Sequence, residues 1–296
     1  MMSKFIQFEL WKDCKQGCKF CCNKGQLPVD KSESCKYILE KLNTLEAGEY
    51  DYIGLIGGEF FNGEYKDHKE LFYQIVKKSI ELSPKKLFIT TSLIFNIGKY
   101  LIPFLKWVES ELKAIDKIVL CTSWDAEYRF HTQEQRMTWN KNMLWLPNRF
   151  KELELHVEMI LTQHLIDLIN DKGLNLEVFK RVFRCSIDFI EPSSGLYYTD
   201  KYECQKDIPG FFPTKASFVK FVLQNKDFLN LDTFLSMELR SDELYFLENG
   251  ERRAALNRRA GDGRCELKDK SKKYDIGFID SDVSMRDVVN LIREDL

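Results

Sequence analysis

The spacing of hydrophobic positions changes repeatedly along this chain. Phe5–Leu10 is a short apolar-rich segment and reads as a strand. Lys31–Leu45 follows helical spacing, with Tyr37, Ile38, Leu39, Leu42 and Leu45 as its apolar positions. Asp51–Ile56 reads as the second strand. Across His68–Leu82, the residues Leu71, Phe72, Ile75, Val76 and Ile80 make one broad helical face, and Ser83-Pro84 stops it. Leu87–Thr91 is a third strand. Ile97–Leu112 is a third helix, with an irregularity expected at Pro103. Lys117–Ser123 is almost wholly apolar, as a buried parallel strand should be. Gln133–Leu144 is the next helix and Leu153–Leu161 alternates as a fifth strand. Leu165–Phe179 is a helix, and Phe183–Ile190 is a sixth strand.

Strands separated by helices predict a parallel sheet with right-handed crossovers. The fold class is therefore α/β: a partial (β/α)6 barrel of TIM type, open where the eight-unit barrel closes. Residues 1–195 are assigned to this core. After it the pattern breaks. Ser193–Thr214 holds Gly195, Pro209, Gly210 and Pro213 and reads as a long loop. Ala216–Leu223 is a candidate helix, Leu235–Leu239 with Leu244–Phe246 a hairpin-like pair, and Ser284–Ile292 a terminal helix. Residues 196–296 are expected to form an irregular C-terminal extension that closes or flanks the barrel.

Composition narrows the class. At 35.0 kDa, 44% hydrophobic and 30% charged, with a net charge of -2, the chain is long enough for one large α/β domain and an appendage. There is no run of apolar residues long enough to cross a membrane. The near-neutral charge argues against a nucleic-acid footprint over the whole surface. Nine Cys and no signal-peptide pattern suit a reduced, cytoplasmic setting rather than a disulfide framework.

Chemistry concentrates just after the first strand, in the run Cys14-Lys15-Gln16-Gly17-Cys18-Lys19-Phe20-Cys21. Thiolates at this spacing on one short loop suit three irons of a four-iron cluster and leave the fourth iron open to a small molecule. Zinc is the competing occupant. Cys22 is at hand as a fourth ligand, but no second Cys or His pair follows at the usual spacing. Cys22 itself reads as a small loop residue and Cys35 as a packing residue on a helix. Further on, Tyr52-Ile53-Gly54-Leu55-Ile56-Gly57-Gly58-Glu59 is a buried strand ending in two glycines and an acid.

Cys-x3-Cys-x2-Cys with an aromatic residue before the last Cys resembles the signature of radical S-adenosylmethionine (radical SAM) enzymes. The Gly-Gly-Glu run resembles the motif with which that family contacts the methionine amino group. The resemblance implies that Cys14, Cys18 and Cys21 ligate a [4Fe–4S] cluster and that S-adenosyl-L-methionine is the second cofactor. It also implies reductive cleavage of that cofactor to a 5′-deoxyadenosyl radical, and hydrogen abstraction from a peptide, nucleoside or other small metabolite. An external one-electron donor of flavodoxin or ferredoxin type is implied as well.

Under this reading both motifs follow strands, at the C-terminal strand ends where barrels of this kind place chemistry. Gly57 and Gly58 would admit a close ligand or a positive φ, and Glu59 would accept from an ammonium. Phe20 would pack on the adenine side. Of the polar groups ending strand three, Thr91 is a candidate cofactor contact, and of those ending strand four, Ser123 and Asp125. Each also reads as an ordinary strand-end residue. Arg129 and Glu127 follow on the same loop, suited either to the cofactor carboxylate or to solvent.

Cys185, Cys204 and Cys265 are too widely spaced for a standard auxiliary cluster and read as isolated thiols. Glu251–Lys273 carries a net charge of +5. It suits either a patch for nucleic acid, a phosphorylated substrate or an acidic reductase, or a solvated loop. His68, His131, His156 and His164 show no metal spacing. A non-catalytic iron–sulfur or zinc-binding sensor is the alternative function, and the intact Gly-Gly-Glu run favours the enzyme.

Overall fold

The computed structural model describes residues 4–11, 13–21, 30–61, 65–190, 207–225, 243–248 and 251–256. Strands β1 (Phe5–Glu9), β2 (Tyr52–Ile56), β3 (Lys86–Thr90), β4 (Ile118–Ser123), β5 (Glu154–Ile160) and β6 (Cys185–Ile190) pair in sequence order, every neighbour parallel. Helices α1 (Lys31–Asn43), α2 (Tyr65–Glu81), α3 (Leu101–Trp107), α4 (Gln133–Arg149), α5 (Gln163–Asn170) and α6 (Leu176–Phe183) fill the connections. The sheet runs β6-β5-β4-β3-β2-β1-β7-β8, with β7 at Glu243–Glu248 and β8 at Glu251–Leu256, so its ends do not meet and the barrel stays open. This is the partial (β/α)6 architecture that the alternating pattern predicts.

One sheet face builds the core. Ile6, Phe8, Ile53, Leu55, Leu87, Ile89, Leu120, Val157 and Met159 are fully or almost fully buried and join Phe72, Phe104, Trp139 and Phe221 in one cluster. Burial of apolar surface on this scale is the main stabilising term of such a fold. The other face is more polar. Register sets Ser123, Glu158 and Asp188 in one row across β4, β5 and β6, and each is half-buried.

Local chemistry fixes several helix starts. The Asp30 side chain accepts from the amides of Ser32 and Glu33 to cap α1, and Thr132, Thr162 and Asn175 cap α4, α5 and α6 in the same way.

Several boundaries differ from the sequence reading, among them the sixth strand, which begins at Cys185 because Phe183 ends α6. The single helix expected over Leu165–Phe179 is two helices, broken at Gly173, whose φ of +77 suits glycine. Helix α4 runs past Leu144 because Leu146 and Pro147 are still buried on its inner side. The irregularity of the third helix is not at Pro103. Pro103 lies in the first turn of α3, where its missing N–H has no helical partner to lose. Instead the helix ends in a π-turn, Val108–Leu112, stopped by Lys113 at φ +50.

In the C-terminal part, helix α7 (Lys215–Gln224) covers the expected Ala216–Leu223. The hairpin pairs β7 (Glu243–Glu248) with β8 (Glu251–Leu256), and β7 also adds in parallel to the outer side of β1. Leu244–Phe246 is thus in a hairpin, but its partner begins at Glu251, inside the basic segment. Leu235–Leu239, Ser284–Ile292, most of 193–214 and the rest of the basic segment lie outside the described residues. No described helix is long and apolar enough to cross a membrane.

Candidate functional site

The cysteine loop and the Gly-Gly-Glu run are joined backbone to backbone. The chain leaves β1 through Trp11, whose carbonyl accepts from Gly58 N at 2.6 Å, and Asp13 O accepts from Glu59 N at 3.0 Å. Gly57 makes this approach possible. Its φ is +141, and a Cβ there would lie 2.1 Å from Trp11 O. Glycine is therefore required at position 57 by a neighbouring strand end, in addition to any ligand.

Within the loop, Gly17 takes a φ of +65 and Cys21 N donates to Cys18 O at 3.1 Å. Lys19 N donates to Tyr128 O, and His131 Nε2 lies 3.1 Å from Gln16 O and 2.9 Å from Gly17 O. Both partners of that nitrogen are carbonyls, so it carries the proton and donates. His131 therefore ties the segment before α4 to the cysteine loop, a role that its spacing in the sequence did not signal. On the other side, Lys31 at the start of α1 pairs with Asp13 at 2.7 Å and lies over the Trp11 ring.

Cys18 is buried, and Cys14 and Cys21 are half-buried. Burial pushes the Cys14 thiol up to about 11, helped by the charges of Glu59, Cys18 and Cys21 and opposed by the Gln16 backbone. A metal partner would have to displace that proton. Among the described residues, no three His, Cys, Asp or Glu side chains are grouped to hold one metal ion. A four-iron cluster needs no such convergence, because each thiolate binds a different iron.

Glu59 is buried, with its carboxylate held by Phe61 N (3.0 Å), Thr91 Oγ1 (3.0 Å) and Ser92 N (2.6 Å). Burial holds its carboxyl above the usual range, while those hydrogen bonds oppose the shift. Thr91 thus supports Glu59 and joins the ends of β2 and β3. Phe20 packs beside Phe211, with ring centroids 6.3 Å apart.

The end of β4 holds a second group. Asp125 is buried and its Oδ1 accepts from Glu127 N and Tyr128 N, closing a tight turn. Its Oδ2 is buried with no partner. Arg129, given as a candidate for cofactor or solvent, is 6% exposed, while Glu127 is exposed. The Arg129 guanidinium reaches Ser123 Oγ at 3.0 Å, Ser92 O at 3.3 Å and Cys18 Sγ at 4.0 Å. Its Nε has no partner, and no carboxylate pairs with it among the described residues. Sequence alone had no signal that separated a buried Arg129 from a solvated one.

The remaining candidates fall elsewhere. Cys35 is buried on α1 and Cys185 on β6, both pushed up to about 12 by burial. Cys22, Cys204 and Cys265 lie outside the described residues. His156 on β5 is 2.8 Å from Ser186 Oγ and 3.5 Å from Asp188. A groove of about 680 Å³ opens beside the loop, lined in part by Lys19, Glu127, His131, Arg136 and Met137.

Solved structures resemble this arrangement. Native anSMEcpe with bound AdoMet and Cp18Cys peptide matches with a TM-score of 0.53 at 14% identity, over 97% of this chain and 80% of that one. Native anSMEcpe with bound AdoMet matches at 0.52 and 13%, over 96% and 80%. The chain has the fold of radical SAM enzymes. SuiB of Streptococcus suis aligns at a TM-score of 0.45 and 14% identity, over 86% of this chain and 60% of that one. No family model matches the sequence, and no curated protein does either. In this radical SAM fold the cysteine loop follows β1 and Gly57-Gly58-Glu59 follows β2, on the C-terminal rim of the sheet.

Proposed function

We propose that this chain is a radical SAM enzyme in which Cys14, Cys18 and Cys21 hold a [4Fe–4S] cluster beside an S-adenosylmethionine site. The observation that carries this reading is the joining of the cysteine loop to the Gly-Gly-Glu run through Trp11 and Asp13. Two motifs with separate chemistry share one rim, held within hydrogen-bond distance of each other. When bound, the cluster and the sulfonium cofactor together supply a 5′-deoxyadenosyl radical that takes hydrogen from an unreactive C–H bond.

The chain's own residues bind and orient. Ser123, held by the Arg129 guanidinium, offers a hydroxyl for the methionine carboxylate. Gly57, Gly58 and Glu59 present backbone and acid to the methionine amine. Because Glu59 already holds Thr91 and Ser92, it keeps the ends of β2 and β3 in register while doing so. Phe20 flanks the adenine side, and the unpartnered Oδ2 of Asp125 takes a donor from the cofactor. The substrate approaches the polar sheet face that carries Glu158, Asp188 and His156. An external one-electron donor reaches the cluster past Lys19 and His131, along the groove at the loop. Described residues 251–256 of the basic segment lie in β8.

The test is anaerobic reconstitution, reduction with dithionite or flavodoxin, and chromatography of the quenched reaction. 5′-Deoxyadenosine is expected from the wild type and not from the variant with Cys14, Cys18 and Cys21 all changed to Ala. Four irons per chain surviving in that variant would remove the ligand assignment. A wild-type reaction with no 5′-deoxyadenosine, and a reduced EPR spectrum indifferent to S-adenosylmethionine, would sink the enzyme reading.

A further inference from the structure

We propose that Arg129 is a positioning residue that sets the reduction potential of the cluster through Cys18. The inference rests on the reading of Cys14, Cys18 and Cys21 as cluster ligands. It starts from an electrostatic imbalance. The Arg129 side chain is almost wholly buried, and its neighbours are a thiol, a hydroxyl and a carbonyl. A buried cation without an anion is costly. Arginine stays charged there, since a guanidinium is not deprotonated in proteins.

The protein holds this cation deliberately in place. Ser92 O, which accepts from Arg129, also accepts from Thr122 Oγ1 at 3.2 Å, and Trp139 Nε1 donates to that same hydroxyl at 3.1 Å. Ser92 N is bound to Glu59. The guanidinium is thus seated on the ends of β3 and β4 and aimed at the first buried cysteine of the loop. Its reach to Cys18 Sγ is 4.0 Å, at the limit of a hydrogen bond to sulfur.

A loaded cluster completes the charge balance. In its 2+ state, a four-iron core with three thiolates carries one net negative charge. One electron from an external reductant takes the core to 1+ and the whole to two negative charges. A fixed positive charge beside a ligating sulfur favours the more negative state and raises the potential. Glu59 opposes it from the Cys14 side, where its charge acts on that thiol. The two residues bracket the loop with opposite signs, and Arg129 is the one that eases electron entry.

The experiment is an EPR-monitored redox titration of reconstituted wild type, Arg129→Gln and Arg129→Lys, without S-adenosylmethionine, each checked for iron content. At an ambient potential near the wild-type midpoint, Arg129→Gln is expected to lower the reduced-to-oxidised ratio at least tenfold, about 59 mV for one electron. Arg129→Lys keeps the charge but withdraws it from the sulfur, so a smaller fall of the same sign is expected. A Gln variant that titrates with the wild type, or above it, overturns the proposal. If the Gln variant takes up no iron, the Lys variant decides: a midpoint at or above the wild-type value overturns the proposal, and a lower one supports it. A wild type that forms no four-iron cluster overturns the underlying reading as well, which separates the two failures.

Discussion

Asp125 commits one carboxylate oxygen to the fold and leaves the other, buried, without a partner. Burial holds its carboxyl above the ordinary range, against the amides of Tyr128 and Glu127 and the pull of His164. The folded chain therefore keeps this proton to a higher pH than the unfolded chain. Stability is present at low pH and is lost as pH rises past the unfolded value of about 3.9. Asp125→Asn keeps an acceptor for the two amides and has no such loss. Its melting temperature is expected to gain on the wild type as pH rises from 4 towards 7. A gap that does not change with pH would show that Asp125 is not held above its usual range. At this scale the sequence was partly legible. Gly57 and Gly58 were read as admitting a close approach or a positive φ; Gly57 takes a positive φ and Gly58 does not. The crowding of Trp11 against Gly57 was not foreseeable, because it depends on a neighbouring strand end.

At the scale of elements, the cysteine loop is held from both sides: Lys31 of α1 grips Asp13, and His131, just before α4, grips Gln16 and Gly17. A loop pinned in this way keeps its thiols close to the geometry that a cluster needs. His131→Ala removes one pin and leaves Thr132, the cap of α4, in place. Its expected effect is about fivefold faster loss of iron to a chelator, the factor for one lost hydrogen bond of ~1 kcal/mol, with an unchanged helical signal. Equal rates in variant and wild type would remove His131 from the loop's support. The split of α5 from α6 belongs to the same scale. Gly173 and the capping Asn175 were in the sequence, but apolar residues at helical spacing on both sides masked the break.

At the scale of the molecule, the core owes little to the three cysteines. Its largest fully buried side chains include Trp139, Phe8, Phe60, Phe61, Phe72 and Phe104, spread over β1, the segment after β2, α2, α3 and α4. Core burial dominates stability, so the triple Cys→Ala protein is expected to keep the far-UV circular dichroism of the wild-type apoprotein and to melt within about 5 °C of it. A collapse of the signal would mean that the loop nucleates the sheet, and that lost activity in this variant does not report on the cluster alone. The strand pairing on the far side of β1 is also a property of the whole. There β7 adds in parallel, a pairing between residues far apart in sequence for which local periodicity has no marker.

The sequence by itself determined the order and type of the first six strands, the parallel sheet they form and the two motifs that follow β1 and β2. Each of these is written in local spacing: apolar runs, turn residues, and cysteines with three and two residues between them. Only the tertiary structure decided that Arg129 is buried against Cys18, that Thr91 serves Glu59, that His131 clamps the loop, and that the hairpin partner of β7 begins at Glu251. The reason is physical. Burial, charge pairing and strand addition are set by what lies across the fold from a residue, and contacts of that kind leave no period in the chain that makes them.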